Sequence, residues 1–109
     1  MDELIKLLQE MKLPFAYDHF AEVESPDPPF ICYLMPGSNN FAADGMVYFK
    51  INEIHIELYT DAKDMALENS VEAVMDSHGI FYNKSETWIE SEKLYEVLYT
   101  FEMEVINNG

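Results

Sequence analysis

The stretch KLYEVLYTFEMEVI, Lys93 to Ile106, constrains this chain more than any other. Tyr95, Val97, Tyr99, Phe101, Met103 and Val105 fall on one side of a period-two pattern. Glu96, Leu98, Thr100, Glu102 and Glu104 fall on the other. Successive strand residues point to opposite faces, so the pattern predicts a β-strand with one face in a core. The opposite face is wet or meets a partner. One strand cannot bury its apolar row alone, so a sheet and a covering layer must come from the rest of the chain.

Candidates for both are present. Leu4, Leu7, Leu8 and Met11 sit at i, i+3, i+4 and i+7, which predicts a short amphipathic helix over Asp2 to Met11. Asp2 and Glu3 suit its N-terminal dipole, and Pro14 ends it. Asp61 to His78 predicts the main helix, with Leu67, Val71, Val74, Met75 and His78 at helical spacing. Thr60 or Asp61 is the expected cap, Asp64 helps the first turn, and Gly79 suits the left-handed end. His78 is expected to cap carbonyls at that end.

The remaining segments read as strands. Phe15 to Val23 is weakly extended, and the proline-rich Ser25 to Pro29 is a stiff connector. Phe30 to Met35 predicts a strand buried on both faces and stopped by Pro36-Gly37, and Ser38 to Gly45 predicts a loop. Met46 to Tyr59 reads as one long strand whose apolar phase switches, since Val47, Phe49 and Ile51 are out of step with Ile54, Ile56 and Leu58. A β-bulge near Asn52-Glu53 would restore one buried face. Alternatively, the first half leaves the sheet and packs elsewhere, for example on another subunit. Ile80 to Ile89 and Lys93 to Ile106 form a closing hairpin around Ser91-Glu92. The expected fold is one α+β domain over residues 1–109, a mostly antiparallel sheet with two helices on one face and a frayed end at 106–109.

Twenty-one acids face six bases, a formal net charge of −15. Such a surface repels phosphate backbones, which argues against ordinary nucleic-acid binding. The charge serves solubility, a basic partner, mimicry of nucleic acid, or a surface past which DNA slides. No apolar run approaches the ~20 residues of a membrane helix, and the acidic start lacks the basic end of a signal peptide. A single cysteine, Cys32, forms no internal disulfide, which fits a cytoplasmic protein.

Chemistry has little to stand on. Cys32 lies in the most apolar strand with no neighbouring base, and reads as a buried structural thiol. The 36–45 loop has no lysine, so it is no phosphate loop. Glu53, His55 and Glu57 share a strand face, but one imidazole with two carboxylates is a poor zinc site, and a solvated or lumen-facing strand explains it better. Asp18 and His19 would point to opposite faces of a strand. Tyr82 and Trp88 fall on one strand face and serve either the core or an interface.

Three stretches, LPFAYDHFAEVESPDPPFICYLMPGSNNFAADG, VYFKINEIHIELYTDAKD and GIFYNKSETWIESEKLYEVLYTFEME, resemble small prophage proteins of Gram-positive bacteria encoded in tail-morphogenesis modules. The element order is similar to that of the tail-terminator, or tail-completion, proteins of long-tailed phages. The resemblance implies an α+β subunit that assembles as a ring, commonly a hexamer, at the head-proximal end of the tail tube. Its partners would be itself, tube subunits and head-connector proteins, in the host cytoplasm and then the virion. It implies no enzyme activity, cofactor, metal, membrane or specific nucleic-acid binding. Phe41, Met46, Tyr48, Tyr82 and Trp88 are the candidate subunit interface, and Glu53, Glu57, Glu102 and Glu104 the candidate acidic lumen. An acidic inhibitor that mimics nucleic acid and occupies a basic host protein is the competing reading.

Overall fold

The computed structural model describes residues 2–21, 25–43 and 47–104. Helix α1 (Asp2–Glu10) and helix α2 (Met65–Ser77) cover one face of a five-stranded sheet. Its strands are β1 (Phe15–Tyr17), β2 (Phe30–Ser38), β5 (Ile51–Thr60), β6 (Asn83–Ile89) and β7 (Leu94–Glu104). Their spatial order is β1-β2-β5-β7-β6. Only the β1–β2 pairing is parallel, and the fold is α+β as the sequence predicts. Two further strands, β3 (Phe41–Ala43) and β4 (Val47–Phe49), pair with each other as a separate hairpin.

The two-residue period does what it should. Ile54, Ile56 and Leu58 of β5 and Val97, Tyr99 and Phe101 of β7 are buried. They meet Leu4, Leu7, Leu8 and Met11 of the first helical segment and Val71 and Met75 of α2 in one cluster. Leucine, isoleucine and valine side chains each contribute roughly 1.5–3 kcal/mol when fully buried, so this cluster is the main stabilising element.

The phase switch in Met46 to Tyr59 has a different cause from a bulge at Asn52-Glu53. The β5–β7 register is unbroken from Ile51 opposite Glu104 to Thr60 opposite Tyr95. The strand is instead divided at Lys50, and β4 leaves the sheet to join the hairpin. The bulge occurs in β2. There Leu34 faces His55 and Gly37 faces Glu53, so Met35 and Pro36 together oppose Ile54. Proline has no N–H for a ladder, and a bulge is where a sheet tolerates it. Pro36-Gly37 therefore bends β2 rather than ending it, and within the predicted 38–45 loop Ser38 belongs to β2 and Phe41–Ala43 form β3.

Helix α2 is capped by Asp64, whose carboxylate accepts from the Leu67 N–H at 3.0 Å. Thr60 cannot serve, because it is buried in the sheet opposite Tyr95. At the other end Gly79 has φ +68°. The Gly79 N–H donates to Asp76 O and the Ile80 N–H to Met75 O, a Schellman arrangement. Contrary to the expectation from sequence, the His78 ring does not cap these carbonyls. It reaches Glu10 at the end of α1, Nε2 to Oε2 2.8 Å, and ties the two helices together. The predicted ends at Val23, Val105 and 106–109 lie outside the described residues.

Candidate functional site

The face of the sheet opposite the helices carries the acid row. Glu53 and Glu57 lie on β5, Glu96, Glu102 and Glu104 on β7. Directly paired residues share a face, and Glu53 pairs with Glu102 while Tyr59 pairs with Glu96. All four sequence-predicted lumen carboxylates are therefore brought to one face. Glu96 joins them.

Like charges opposite one another destabilise a sheet, and local donors reduce the conflict here. His55 Nε2 lies 3.1 Å from Glu53 Oε1, and Asn39 Nδ2 donates to Glu102 Oε2 at 2.7 Å. At the far end of the row the Tyr59 hydroxyl lies 3.1 Å from both Glu57 Oε1 and Glu96 Oε2. A phenol has one proton to share between two carboxylates. Burial and the Glu96 charge raise the Glu57 pKa, against the lowering effect of the Tyr59 bond. Burial first, then the Glu57 and Glu96 charges, also push the Tyr59 hydroxyl far up.

Cys32 sits beneath this end. Burial, helped by Glu57, Asp18 and Glu96, raises its thiol to about 11, so little of it is thiolate near neutral pH. A hollow of about 680 Å³ opens above it, between Asp18–Phe20, Phe30 and Tyr59. Asp18 Oδ2 and His19 Nδ1 meet at 3.1 Å on the surface. They are not on opposite faces of a strand, because β1 has ended and Asp18 turns the chain with φ +65°. Among the described residues, no three histidine, cysteine or acidic side chains converge to hold a metal ion. No described helix is long and apolar enough to cross a membrane.

The described candidate interface residues lie on different elements. Tyr82 is half-buried against the core, its ring edge-on to Tyr99 at 5.4 Å. Trp88 is 41% exposed, leans on Tyr95 at 4.7 Å and donates to Glu90 Oε2 at 2.6 Å. Phe41 and Tyr48 are strand residues of the β3–β4 hairpin, and Met46 lies outside the described residues. Phe81 is 88% exposed where the chain approaches β6, at the hairpin end of the sheet.

Sequence reading missed one site altogether. Glu68 on α2 is only 3% exposed, and each carboxylate oxygen holds a lysine: Oε2 to Lys63 at 2.7 Å, Oε1 to Lys84 at 2.9 Å. Lys84 also reaches Glu72 Oε2 at 2.7 Å, where the Tyr99 hydroxyl donates at the same distance. Lys63 further pairs with Glu86. Burial alone would raise the Glu68 carboxyl, but the two lysine bonds outweigh it and hold it below the ordinary range. Helical spacing sets Glu68 beside the buried face, one position from Leu67 and three from Val71, but carries no sign of the lysines that meet it.

The fold resembles that of a solved structure. A chain of the structure described as "Virion of native gene transfer agent (GTA) particle" superposes with a TM-score of 0.57. The match covers 91% of this chain and 83% of that one, at 14% sequence identity. At that identity the likeness is one of fold. No protein-family model and no curated protein matches the sequence.

Proposed function

We propose that this protein is a structural virion subunit of the tail-completion kind, which assembles as a ring at the end of a tail tube. The observation that carries the reading is the shared fold, over most of both chains, with a chain of a virion particle. Fold alone does not assign function, so the surface must supply the rest. The helix-free face fits the lining of a passage for DNA. It presents Glu53, Glu57, Glu96, Glu102 and Glu104 on adjacent strands, and like charge prevents phosphates from sticking. The role requires no bond making, only self-association and contacts with tube and connector proteins. Six copies are the ring number that the family resemblance suggests.

Deletion of the gene from an inducible prophage tests the reading. The expected phenotype is full heads with unjoined or misterminated tails in electron micrographs. Normal, infectious particles after deletion would sink it. Glu102→Lys with Glu104→Lys tests the lining separately. Particles should assemble but deliver DNA more slowly, with the defect larger at low salt, because screening confines such attraction to about 8 Å at physiological ionic strength. Unchanged delivery at low salt rejects the lining. Salt-sensitive capture of one basic host protein, with no deletion phenotype, would instead favour an acidic inhibitor.

A further inference from the structure

We infer that β6 pairs antiparallel with β6 of a second copy of this chain, about a two-fold axis at Ser85. The inference goes beyond the ring reading, because a two-fold contact closes on itself and makes pairs.

Strand β6 is an edge of the sheet, and β7 is its one strand neighbour among the described residues. Its register with β7 is unbroken from Asn83 opposite Thr100 to Ile89 opposite Leu94. The side chains from Asn83 to Trp88 are exposed. Among the described residues, the one further backbone bond to this strand is from Glu92 N–H to Ile89 O, in the turn. Alternate N–H and C=O groups of β6 therefore face outward, and such an edge is a template for another strand. Monomeric proteins blunt a long edge with proline, a bulge or a charge directed over it. This strand has no proline and no bulge. Its one lysine, Lys84, is turned back to Glu68 and Glu72 on α2. The other sheet edge, β1, is three residues long against seven for β6.

Charge selects the occupant. At −15, two copies repel wherever free carboxylates meet. Beside β6 the acids are already held, Glu86 by Lys63 and Glu68 by both Lys63 and Lys84. A phosphate backbone would find the lysines of this flank committed. Cross-strand partners share a face, so a two-fold pair sets one residue opposite its own copy. With the axis at Lys84 or at Glu86, like charges oppose one another, which destabilises the pair. With the axis at Thr87, Glu86 faces Trp88. With the axis at Ser85, Lys84 faces Glu86 of the second copy, and Glu86 faces its Lys84. Asn83 then meets Thr87, both uncharged. Continued past the strand, the same register brings Phe81 and Tyr82 toward Ile89 and Trp88 of the second copy. Phe81 and Trp88 are large apolar side chains that the lone chain leaves exposed.

Disulfide trapping in the full chain tests the register. Ser85→Cys is treated with copper phenanthroline in air and run on a non-reducing gel. Opposed Cα atoms lie about 4.5–5.5 Å apart, within disulfide range. A covalent dimer is expected, and wild type is the control because Cys32 is buried. Asn83→Cys mixed with Thr87→Cys should cross-link too. Thr87→Cys alone should not, because its two copies would stand about 13 Å apart along the strands. Light scattering should give twice the chain mass for wild type. Ser85→Asp opposes two carboxylates and should weaken that association about fivefold. Its circular dichroism should match wild type, since Ser85 is exposed. A wild-type chain that is monomeric at every concentration, or a Ser85→Cys chain that does not cross-link, overturns the inference. So does a Thr87→Cys self-cross-link, which reports another register. A deletion phenotype without the β6 pair overturns the inference and leaves the tail-completion reading intact. The β6 pair without a deletion phenotype does the reverse.

Discussion

Replacing Lys84 with methionine should destabilise the fold far more than replacing Glu68, although the two residues share one ion pair. Glu68 is 3% exposed, and its oxygens are satisfied by Lys63 and Lys84 at 2.7 and 2.9 Å. Lys84→Met removes the ammonium that lies 5.9 Å from the Tyr99 ring centroid, leaves Glu68 half-satisfied and takes a partner from Glu72. Breaking a buried pair from one side costs about 3–5 kcal/mol, chiefly through the stranded charge. Lys63 remains and Lys84 is itself 37% exposed, so about 2–3 kcal/mol is expected. With a urea slope of about 1–3 kcal/mol/M, the midpoint should fall by roughly 1–2 M. Glu68→Leu strands no buried charge, because both lysines can turn to water and Lys84 keeps Glu72. Its cost should stay below about 1 kcal/mol. The pH dependence has a definite sign. The Glu68 and Glu72 carboxyls are depressed in the fold, so their contribution is present above the ordinary carboxylate pKa of about 4.3. It is lost as pH falls through the folded values, and the Lys84→Met deficit should shrink there. Urea titrations of both variants at pH 7 and pH 3.5 decide the matter. Equal midpoints for the two variants at pH 7, or a Lys84→Met deficit that grows in acid, would refute the account.

Glu57 has the opposite sign. Burial raises its folded pKa, so its contribution is complete below about pH 4.3 and is lost as pH rises through the folded value. Glu57→Gln should therefore raise the thermal midpoint by a few degrees at pH 7 and not at pH 4, checked by calorimetry. Cys32, raised from 9.0 to about 11, should react with a thiol reagent at pH 8 about a hundredfold more slowly in the native protein than in urea, from thiolate population alone. Comparable rates would mean that its strand opens readily. Gly79→Ala places a Cβ at φ +68° with no atom within 4 Å to clash, so about 1 kcal/mol of backbone strain is the whole expected loss in a denaturation curve.

The elements that periodicity could show were those whose partners lie within the chain. Strand β7 runs between β5 and β6 with helices on one side, so its two faces differ and its sequence alternates accordingly. Helix α1 shows its buried face in Leu4, Leu7 and Leu8, with Met11 just beyond it, for the same reason. Met46 to Tyr59 misled because Val47 to Phe49 obey a different neighbour, β3, from Ile51 to Thr60, and two alternations run on with only Lys50 between them. The β2 bulge was hidden because proline and glycine mark a strand stop and a strand bend alike. The carboxylate row was legible, since strand alternation alone brings Glu53, Glu57, Glu102 and Glu104 to one face. The Glu68 cluster was not, because Lys63, Lys84 and Glu72 meet it only after α2 packs back over β6 and β7.

That cluster also shapes how the charge of so acidic a chain is distributed. The sequence has six lysines and no arginine. Lys63 and Lys84 are committed to Glu68, Glu72 and Glu86, and Lys93 to Glu90. Cations thus gather where α2 meets β6, and no strand residue on the helix-free face is a lysine among the described residues. The molecule is therefore electrostatically polarised, with a neutralised flank beside β6 and an unneutralised carboxylate face around β5 and β7. The same separation that lets the buried Glu68 stay charged leaves the outer carboxylates free to point their field one way.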